Sequence, residues 1–139
     1  MNKLRVAVLG LGRIGEFHAR EFKNCGCDVV AILTKSEKTG KQKAEKLKDL
    51  YGIRTKPYWN IDLLLKENEL DAASVCTPPE FHSEHLEKCL ERGLHILCEK
   101  PFILDNASEN YKTAEKLVKI AEKNNVCLTV NTQWPSIVN

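Results

Sequence analysis

Apolar residues recur with two different periods along this chain. Short runs of apolar and β-branched residues, typical of strands, alternate with longer stretches in which apolar residues return every three or four positions, typical of amphipathic helices. The short runs predict strands at 4–9, 28–33, 53–58, 71–77, 94–98 and 126–130. The longer stretches predict helices at 13–24, within 34–51, near 61–65, at 81–91, and from a cap at 105 or 106 to about 124.

Strands and helices alternate from end to end, which predicts a single α/β domain with a parallel sheet between two helical layers. The second strand is apolar at nearly every position, as strands buried on both faces are. The run 53–58 contains Pro57 and is therefore expected at an edge of the sheet. The expected strand order is 3-2-1-4-5-6, the doubly wound parallel sheet of a Rossmann fold. That order predicts a ligand crevice between strands 1 and 4.

A glycine-rich turn joins the first strand to the first helix. Gly10, Gly12 and Gly15 form the pattern G-x-G-x-x-G directly after a strand, the context in which this pattern indicates dinucleotide binding. We expect Gly10 to make the tight turn, Gly12 to admit a pyrophosphate and Gly15 to let the helix pack on the strand. Backbone N–H groups of Gly12, Arg13 and Ile14 would then face the anion at a helix N-terminus. The alternative is a tight turn that binds nothing.

The end of the second strand bears on the choice between NAD and NADP. An acidic residue about 20 positions after the glycines usually binds the adenosine ribose hydroxyls. This chain instead has Thr34, Lys35 and Ser36, and Glu37 comes later. Hydroxyl groups and a cation, without a nearby carboxylate, suit a 2′-phosphate, so the sequence favours NADP over NAD. The alternative is that Thr34 binds a ribose and Lys35 is solvated.

Polar residues also follow strands 4 and 5, which end beside the predicted crevice. Thr77 and Pro78, with His82 shortly after them, follow strand 4, and Glu99 and Lys100 follow strand 5. A lysine at this position can donate a hydrogen bond to a substrate hydroxyl, or stabilise an alkoxide as hydride leaves carbon. Lys100 is therefore the candidate catalytic residue.

Three of these segments together resemble one family. Gly10–Gly15, Thr77-Pro78 with His82, and the run 93–101 (Gly-Leu-His-Ile-Leu-Cys-Glu-Lys-Pro) are similar to the glucose–fructose oxidoreductase / inositol dehydrogenase (Gfo/Idh/MocA) family. The resemblance covers about residues 3 to 130. It implies NAD(P)-dependent hydride transfer to or from a hydroxyl carbon of a sugar, cyclitol or related small molecule.

The resemblance also implies roles for single residues. Lys100 would contact the substrate near the nicotinamide, Glu99, Thr77 and Pro78 would line the side of the nicotinamide ribose, and His82 would support that loop. Two features depart from the family. The family carries a second α/β domain with most substrate contacts and an Asp/His pair. It also often has an Asn followed by arginines after the sixth strand, where this chain offers only Asn131 or Gln133.

Composition narrows the remaining classes of function. The chain has 139 residues, and its 21 Lys+Arg against 19 Asp+Glu give a net charge of +2, which argues against a nucleic-acid binder held by bulk charge. No apolar run approaches the ~20 residues of a membrane span. The six cysteines show no zinc-site spacing, and Cys76, Cys98 and Cys127 fall in predicted strands. We therefore expect no metal site, reduced thiols, no membrane partner and a cytoplasmic location.

Two helices carry stripes that we expect to be buried. His18, in the first helix, is interpreted as a half-buried packing residue rather than a catalyst. The first stripe comprises Ile14, Phe17, His18, Glu21 and Phe22, with its apolar members towards the sheet. The stripe of the last helix comprises Tyr111, Ala114, Leu117, Val118 and Ala121.

Residues 1–125 are accordingly expected to form a dinucleotide-binding Rossmann domain, and 126–139 the last strand and the start of a connection to a second domain that this chain lacks. The leading hypothesis is the cofactor-binding domain of an oxidoreductase, inactive by itself. The alternatives are a stand-alone nucleotide-binding module, such as a redox sensor or a subunit completed by a partner chain, and a structural Rossmann-like domain with a vestigial site. The tail near Trp134 is expected to self-associate or to meet a partner, unless it is a frayed terminus.

Overall fold

Six parallel strands form one sheet in the computed structural model, which describes residues 2–132. The strands are Arg5–Leu9 (β1), Asp28–Leu33 (β2), Lys56–Tyr58 (β3), Ala72–Val75 (β4), His95–Glu99 (β5) and Leu128–Asn131 (β6). Their order is β3-β2-β1-β4-β5-β6, and all five pairings are parallel. The predicted doubly wound sheet is confirmed, and the direction of strand addition reverses between β1 and β4.

Five helices connect the strands. They are Arg13–Asn24 (α1), Glu37–Tyr51 (α2), Ile61–Glu67 (α3), His82–Glu91 (α4) and Ala107–Lys123 (α5), with a 3₁₀ turn at Pro79–Phe81. Helix α2 begins at Glu37, within the predicted stretch 34–51, because the Ser36 hydroxyl caps it by accepting from the Thr39 N–H at 3.3 Å. Among the helices of residues 2–132, none is both long enough and apolar enough to cross a bilayer.

The predicted third strand was too long. Residues 53–58 were expected to pair with the sheet, but only Lys56–Tyr58 does so. The N–H of Ile53 instead donates to the carbonyl oxygen of Leu47 at 3.2 Å, so this residue completes the C-terminus of α2. Its side chain is 3% exposed and packs beneath that helix rather than extending the strand.

Apolar side chains fill both faces of the sheet, which confirms the three layers. One cluster joins Val8, Ile32 and Leu47 under α1 and α2. The larger cluster joins Leu9 and Val75 to residues of α3, α4 and α5 on the opposite face. Adjacent residues of β1 thus point to opposite faces, as the pleat of a strand requires.

Helix α1 buries only part of the predicted stripe: His18 is buried and Phe22 packs against the core. Ile14 and Phe17 are 46% and 51% exposed, whereas Gly15, His18 and Ala19 are buried. The reason is the close approach of the helix to the glycine turn, which admits only a small residue at the point of contact. The buried face of α1 is therefore rotated relative to the face that hydrophobicity alone predicts.

Helix α5 differs in the same way. Leu117 and Ala121 are buried as expected, but Tyr111 and Val118 are 75% and 44% exposed. The helix lies over the β5–β6 edge of the sheet, and an edge offers a narrow surface that covers only part of the helix. Cys127 is exposed and directly precedes β6, so the prediction that it lies in a strand was wrong.

Candidate functional site

The carboxyl ends of β1, β2 and β4 open into a cavity of about 900 Å³. Its position at the reversal of strand order is where open α/β sheets bind ligands. Its lining comprises Gly10, Leu11, Gly12, Leu33, Thr34, Lys35, Thr39, Trp59, Ile61, Cys76, Thr77, Pro78, Phe81, Glu84 and His85. The lining is mostly apolar with a few polar groups, the usual character of a small-molecule site.

Two of the three motif glycines are required by the fold of the turn. Gly10 has a φ of +89°, and a Cβ there would lie 2.6 Å from the carbonyl oxygen of Cys76. A Cβ on Gly15 would overlap the carbonyl oxygen of Gly10. The turn and the packing of α1 on the sheet therefore each exclude a side chain, whether or not a ligand binds.

Gly12 is different, because the protein itself leaves room for a side chain there. It is the N-cap of α1 with a φ of −70°, and no atom lies within 4 Å of an added Cβ. No side chain caps this helix, so the N–H groups of the first turn, including those of Arg13 and Ile14, lack intrahelical acceptors. Open space and free donors at a helix N-terminus fit the pyrophosphate of a dinucleotide.

The turn after β2 places two of its three predicted site residues at the cavity. Thr34 and Lys35 line it, and Lys35 is exposed. The Ser36 hydroxyl instead serves the N-terminus of α2, where it donates to Thr39 Oγ1 at 3.0 Å. Thr39, which the sequence analysis missed, takes a place in the lining.

The turn after β4 divides its roles between lining and support. Thr77 and Pro78 line the cavity, whereas His82 is 1% exposed and lies beneath it. Its Nε2 lies 2.9 Å from the carbonyl oxygen of Thr77, and its Nδ1 lies 2.9 Å from that of Pro101. His82 thus ties the turns after β4 and β5 together rather than facing a ligand.

The end of β5 lies beside this cavity, outside its lining. Lys100 is exposed, and within residues 2–132 it makes no ion pair. Glu99 Oε1 accepts from His18 Nε2 at 2.9 Å and from Asn131 Nδ2 at 2.6 Å. The interpretation of His18 as a half-buried packing residue was incomplete, because it is 6% exposed and hydrogen-bonded at both ring nitrogens. Gln133 and Trp134 lie outside the described residues.

Three aromatic residues in the lining were missed by the sequence analysis. Trp59 and Phe81 are 50% and 46% exposed, and Phe81 stacks on His85 with ring centroids 5.9 Å apart. The signals were present: Trp59 follows β3 directly, and positions 81 and 85 lie four residues apart where the chain turns into α4. Flat apolar faces of this kind suit a purine base.

Burial shifts two titratable groups of the lining. Burial lowers the pKa of His85, whose Nδ1 lies 3.1 Å from Thr77 Oγ1. Burial also raises the pKa of the Cys76 thiol to about 11. A thiolate is the nucleophilic form of cysteine, so Cys76 is not an activated nucleophile.

Comparison with known proteins identifies one family of oxidoreductases. A family described as "Oxidoreductase family, NAD-binding Rossmann fold" (GFO_IDH_MocA) matches residues 4–132. UDP-N-acetylglucosamine 3-dehydrogenase of Acidithiobacillus ferrooxidans is 28% identical over 130 residues, which are 94% of this chain and 37% of that protein. Myo-inositol 2-dehydrogenase of Thermotoga maritima is 30% identical over 125 residues, which are 90% of this chain and 35% of that protein.

A solved structure gives the same result. Myo-inositol 2-dehydrogenase from Lactobacillus plantarum superposes with a TM-score of 0.77 at 28% identity, over 94% of this chain and 36% of that one. The chain thus spans little more than a third of the length of these relatives. Sheet order, glycine turn and family match agree: the chain belongs to the Gfo/Idh/MocA oxidoreductase family, and residues 4–132 are its NAD(P)-binding Rossmann domain.

Proposed function

We propose that this domain binds NADP(H) in preference to NAD(H), and serves a dehydrogenase that moves hydride to or from a hydroxyl carbon of a sugar, cyclitol or related small molecule. The observation that carries the proposal is the glycine turn opening into a cavity of about 900 Å³ at the reversal of strand order. The relatives named above, two of them inositol dehydrogenases and one a sugar-nucleotide dehydrogenase, support the substrate class.

The dinucleotide lies across the cavity in one orientation. The pyrophosphate sits over the turn from Gly10 to Gly15, where the first-turn N–H groups donate to it. The adenine lies at the far end, against the exposed rings of Trp59 and Phe81. Thr77 and Pro78 then flank the half of the ligand that leads towards β5.

The preference for NADP rests on the turn after β2. Lys35 supplies a cation and Thr39 a hydroxyl group, whereas the Thr34 hydroxyl donates to the Ser36 carbonyl oxygen at 3.0 Å. This turn contributes no carboxylate to the lining. A hydrogen bond that involves a charged group contributes roughly 1.5–3 kcal/mol, which corresponds to a preference of about tenfold or more. Ser36 acts indirectly, because its hydroxyl fixes the N-terminus of α2.

Lys100 is the group that meets the substrate. A nicotinamide, when bound, supplies or accepts the hydride. The ammonium group of Lys100, exposed after β5, donates to the substrate oxygen and stabilises the alkoxide from which hydride leaves once the hydroxyl proton has been removed. Proton transfer also needs a positioned base, so we expect efficient turnover to require groups beyond residues 2–132.

A second proposal concerns residues 126–139, of which 133–139 lie outside the described residues. We propose that this segment begins a connection to a second domain. We also propose that the apolar side chains of Trp134, Ile137 and Val138 contact that domain or a second copy of the chain. Light scattering of residues 1–139, with and without 133–139, tests the self-association. If both versions of the chain have the mass of a monomer at every concentration, the proposed self-association is contradicted.

Calorimetric titration of the chain with NADPH and with NADH tests the cofactor proposal. We expect both to bind, NADPH about tenfold or more tightly. Lys35→Asp should reverse the order, because it removes the cation and adds repulsion to the 2′-phosphate. Lys38→Asp, a matched charge change three residues along on the exposed face of α2, should leave the order unchanged. Equal affinities for the two dinucleotides in the unmutated chain would contradict the preference.

A further inference from the structure

A chain of hydrogen bonds runs through the centre of the molecule, beneath the glycine turn. His18 lies in α1 and Ser74 in β4, and both are buried, with 6% and 0% of their surfaces exposed. His18 Nδ1 lies 2.8 Å from Ser74 Oγ, and His18 Nε2 lies 2.9 Å from Glu99 Oε1. Ser74 Oγ in turn lies 3.5 Å from Cys76 Sγ.

The carboxylate fixes one end of this chain. A carboxylate only accepts, so Nε2 of His18 carries the proton that it donates to Glu99. The Ser74 hydroxyl, which can donate or accept, joins His18 Nδ1 to the Cys76 thiol. That thiol is protonated, since burial raises its pKa to about 11. The chain thus ends on Glu99.

Glu99 is held by one oxygen. Asn131 Nδ2, at the end of β6, donates to the same Oε1 at 2.6 Å. Within residues 2–132, Oε2 accepts no hydrogen bond, and the side chain retains 14% of its exposure. The carboxylate is therefore fixed on its inner side, with its second oxygen left for a ligand at the carboxyl end of β5.

A purely structural role does not require this arrangement. An apolar set of side chains at positions 18, 74 and 99 would fill similar space without burying polar groups, and buried polar groups add stability only when all are satisfied. The arrangement does have a consequence for Lys100, the next residue. Glu99 is engaged inward with His18 and Asn131, so it does not neutralise the lysine ammonium.

We propose that His18 is a positioning residue: it holds Glu99 so that Oε2 accepts a hydrogen bond from the ribose hydroxyls next to the nicotinamide. This inference rests on the proposed function, because it presupposes a dinucleotide in the crevice. It adds a residue of α1, outside the cavity lining, to the binding of the nicotinamide half.

Ligands that contain successively more of the dinucleotide distinguish a positioning role of His18 from a general loss of structure. ADP lacks the second ribose, ADP-ribose includes it, and NAD⁺ adds the nicotinamide. By calorimetry, His18→Leu should weaken ADP-ribose and NAD⁺ by about tenfold, the loss of one hydrogen bond to a charged group, and leave ADP unchanged. His18→Gln, whose amide reaches the place of Nε2, should restore most of the affinity.

Two further variants test whether His18 acts through Glu99. In a Glu99→Ala background, His18→Leu should have no additional effect, because contacts in one network are not additive. Asn124→Ala removes an unrelated hydrogen bond, from its side chain to the Leu90 carbonyl oxygen, and should weaken none of the three ligands. If His18→Leu does not fold, Asn131→Ala removes the other donor to Glu99 and should give the same ligand pattern.

The outcomes distinguish this inference from the proposal on which it rests. If the unmutated chain binds neither NAD⁺ nor NADP⁺, the proposed function fails. If it binds all three ligands and His18→Leu weakens them equally, or weakens ADP-ribose further in the Glu99→Ala background, His18 is structural only and the positioning role is overturned.

Discussion

Gly12 separates the needs of a ligand from those of the fold. The added Cβ that Gly10 and Gly15 cannot accommodate meets no atom within 4 Å at Gly12. Gly12→Val should therefore fold with little loss of stability and still fail to bind a dinucleotide, because the branched side chain occupies the space over the first-turn N–H groups.

Thermal unfolding and calorimetry on the same sample test this expectation. The informative result is the combination of a normal melting temperature with lost binding of NADPH. Unchanged affinity in Gly12→Val would mean that the pyrophosphate does not lie over this turn. Gly26→Ala, at a positive-φ glycine far from the site, serves as the control for a small strain without a ligand effect.

His85 makes the stability of the folded protein depend on pH, and its lowered pKa fixes the direction of that dependence. Burial lowers its pKa below the ordinary 6.5, so the unfolded chain binds more protons than the folded chain as pH falls through that range. The stability that His85 contributes is complete above about 6.5 and is lost progressively below it. Urea unfolding at a series of pH values should show a smaller loss on acidification in His85→Gln. Parallel curves for the two proteins would contradict the assignment.

Helix α2 buries one leucine completely against the sheet, and Ala44 and Tyr51 pack beside it. Leu47 has no exposed surface, whereas Leu50, on the same helix, is 59% exposed. Leu47→Ala should lower the free energy of unfolding by about 2–5 kcal/mol, because it leaves a cavity between α2 and the sheet. Leu50→Ala should change it by less than about 0.5 kcal/mol. Chemical denaturation of both variants gives the comparison, and similar losses would mean that α2 packs differently.

The elements show what the sequence could and could not predict. The spacing of apolar residues located the strands and helices, because each kind of element buries residues at its own characteristic spacing. It failed where geometry rather than hydrophobicity chooses the buried face: α1 turns Gly15 and Ala19 inward and leaves Ile14 and Phe17 outside. Residues after β1 and β4 were predictable from motifs. Trp59 follows β3 directly and could have been identified, whereas the His18–Glu99 contact joins residues far apart in the sequence, which no local pattern encodes.

At the scale of the whole molecule, we expect cofactor binding and catalytic turnover to depend on different residues. Lys100 is exposed and lies outside the cavity lining, so Lys100→Met should leave the affinity for NADPH nearly unchanged. Residues 1–139 alone should show little reduction of NADP⁺ with sugars or cyclitols, since proton transfer needs a second positioned group. In a longer native protein, Lys100→Met should depress kcat far more than cofactor affinity. Robust sugar-dependent reduction by residues 1–139 would contradict this division.

The central claim is that a dinucleotide binds where the order of the strands reverses. An NMR titration of the ¹⁵N-labelled chain with NADPH tests it most directly, because each backbone N–H reports its own surroundings. The account predicts saturable shifts that are largest for Gly12, Arg13 and Ile14, with further shifts at Lys35 and Thr77. The exposed outer face of α5 should not respond. Saturable shifts centred on α5, or no shifts at any NADPH concentration, would contradict the account.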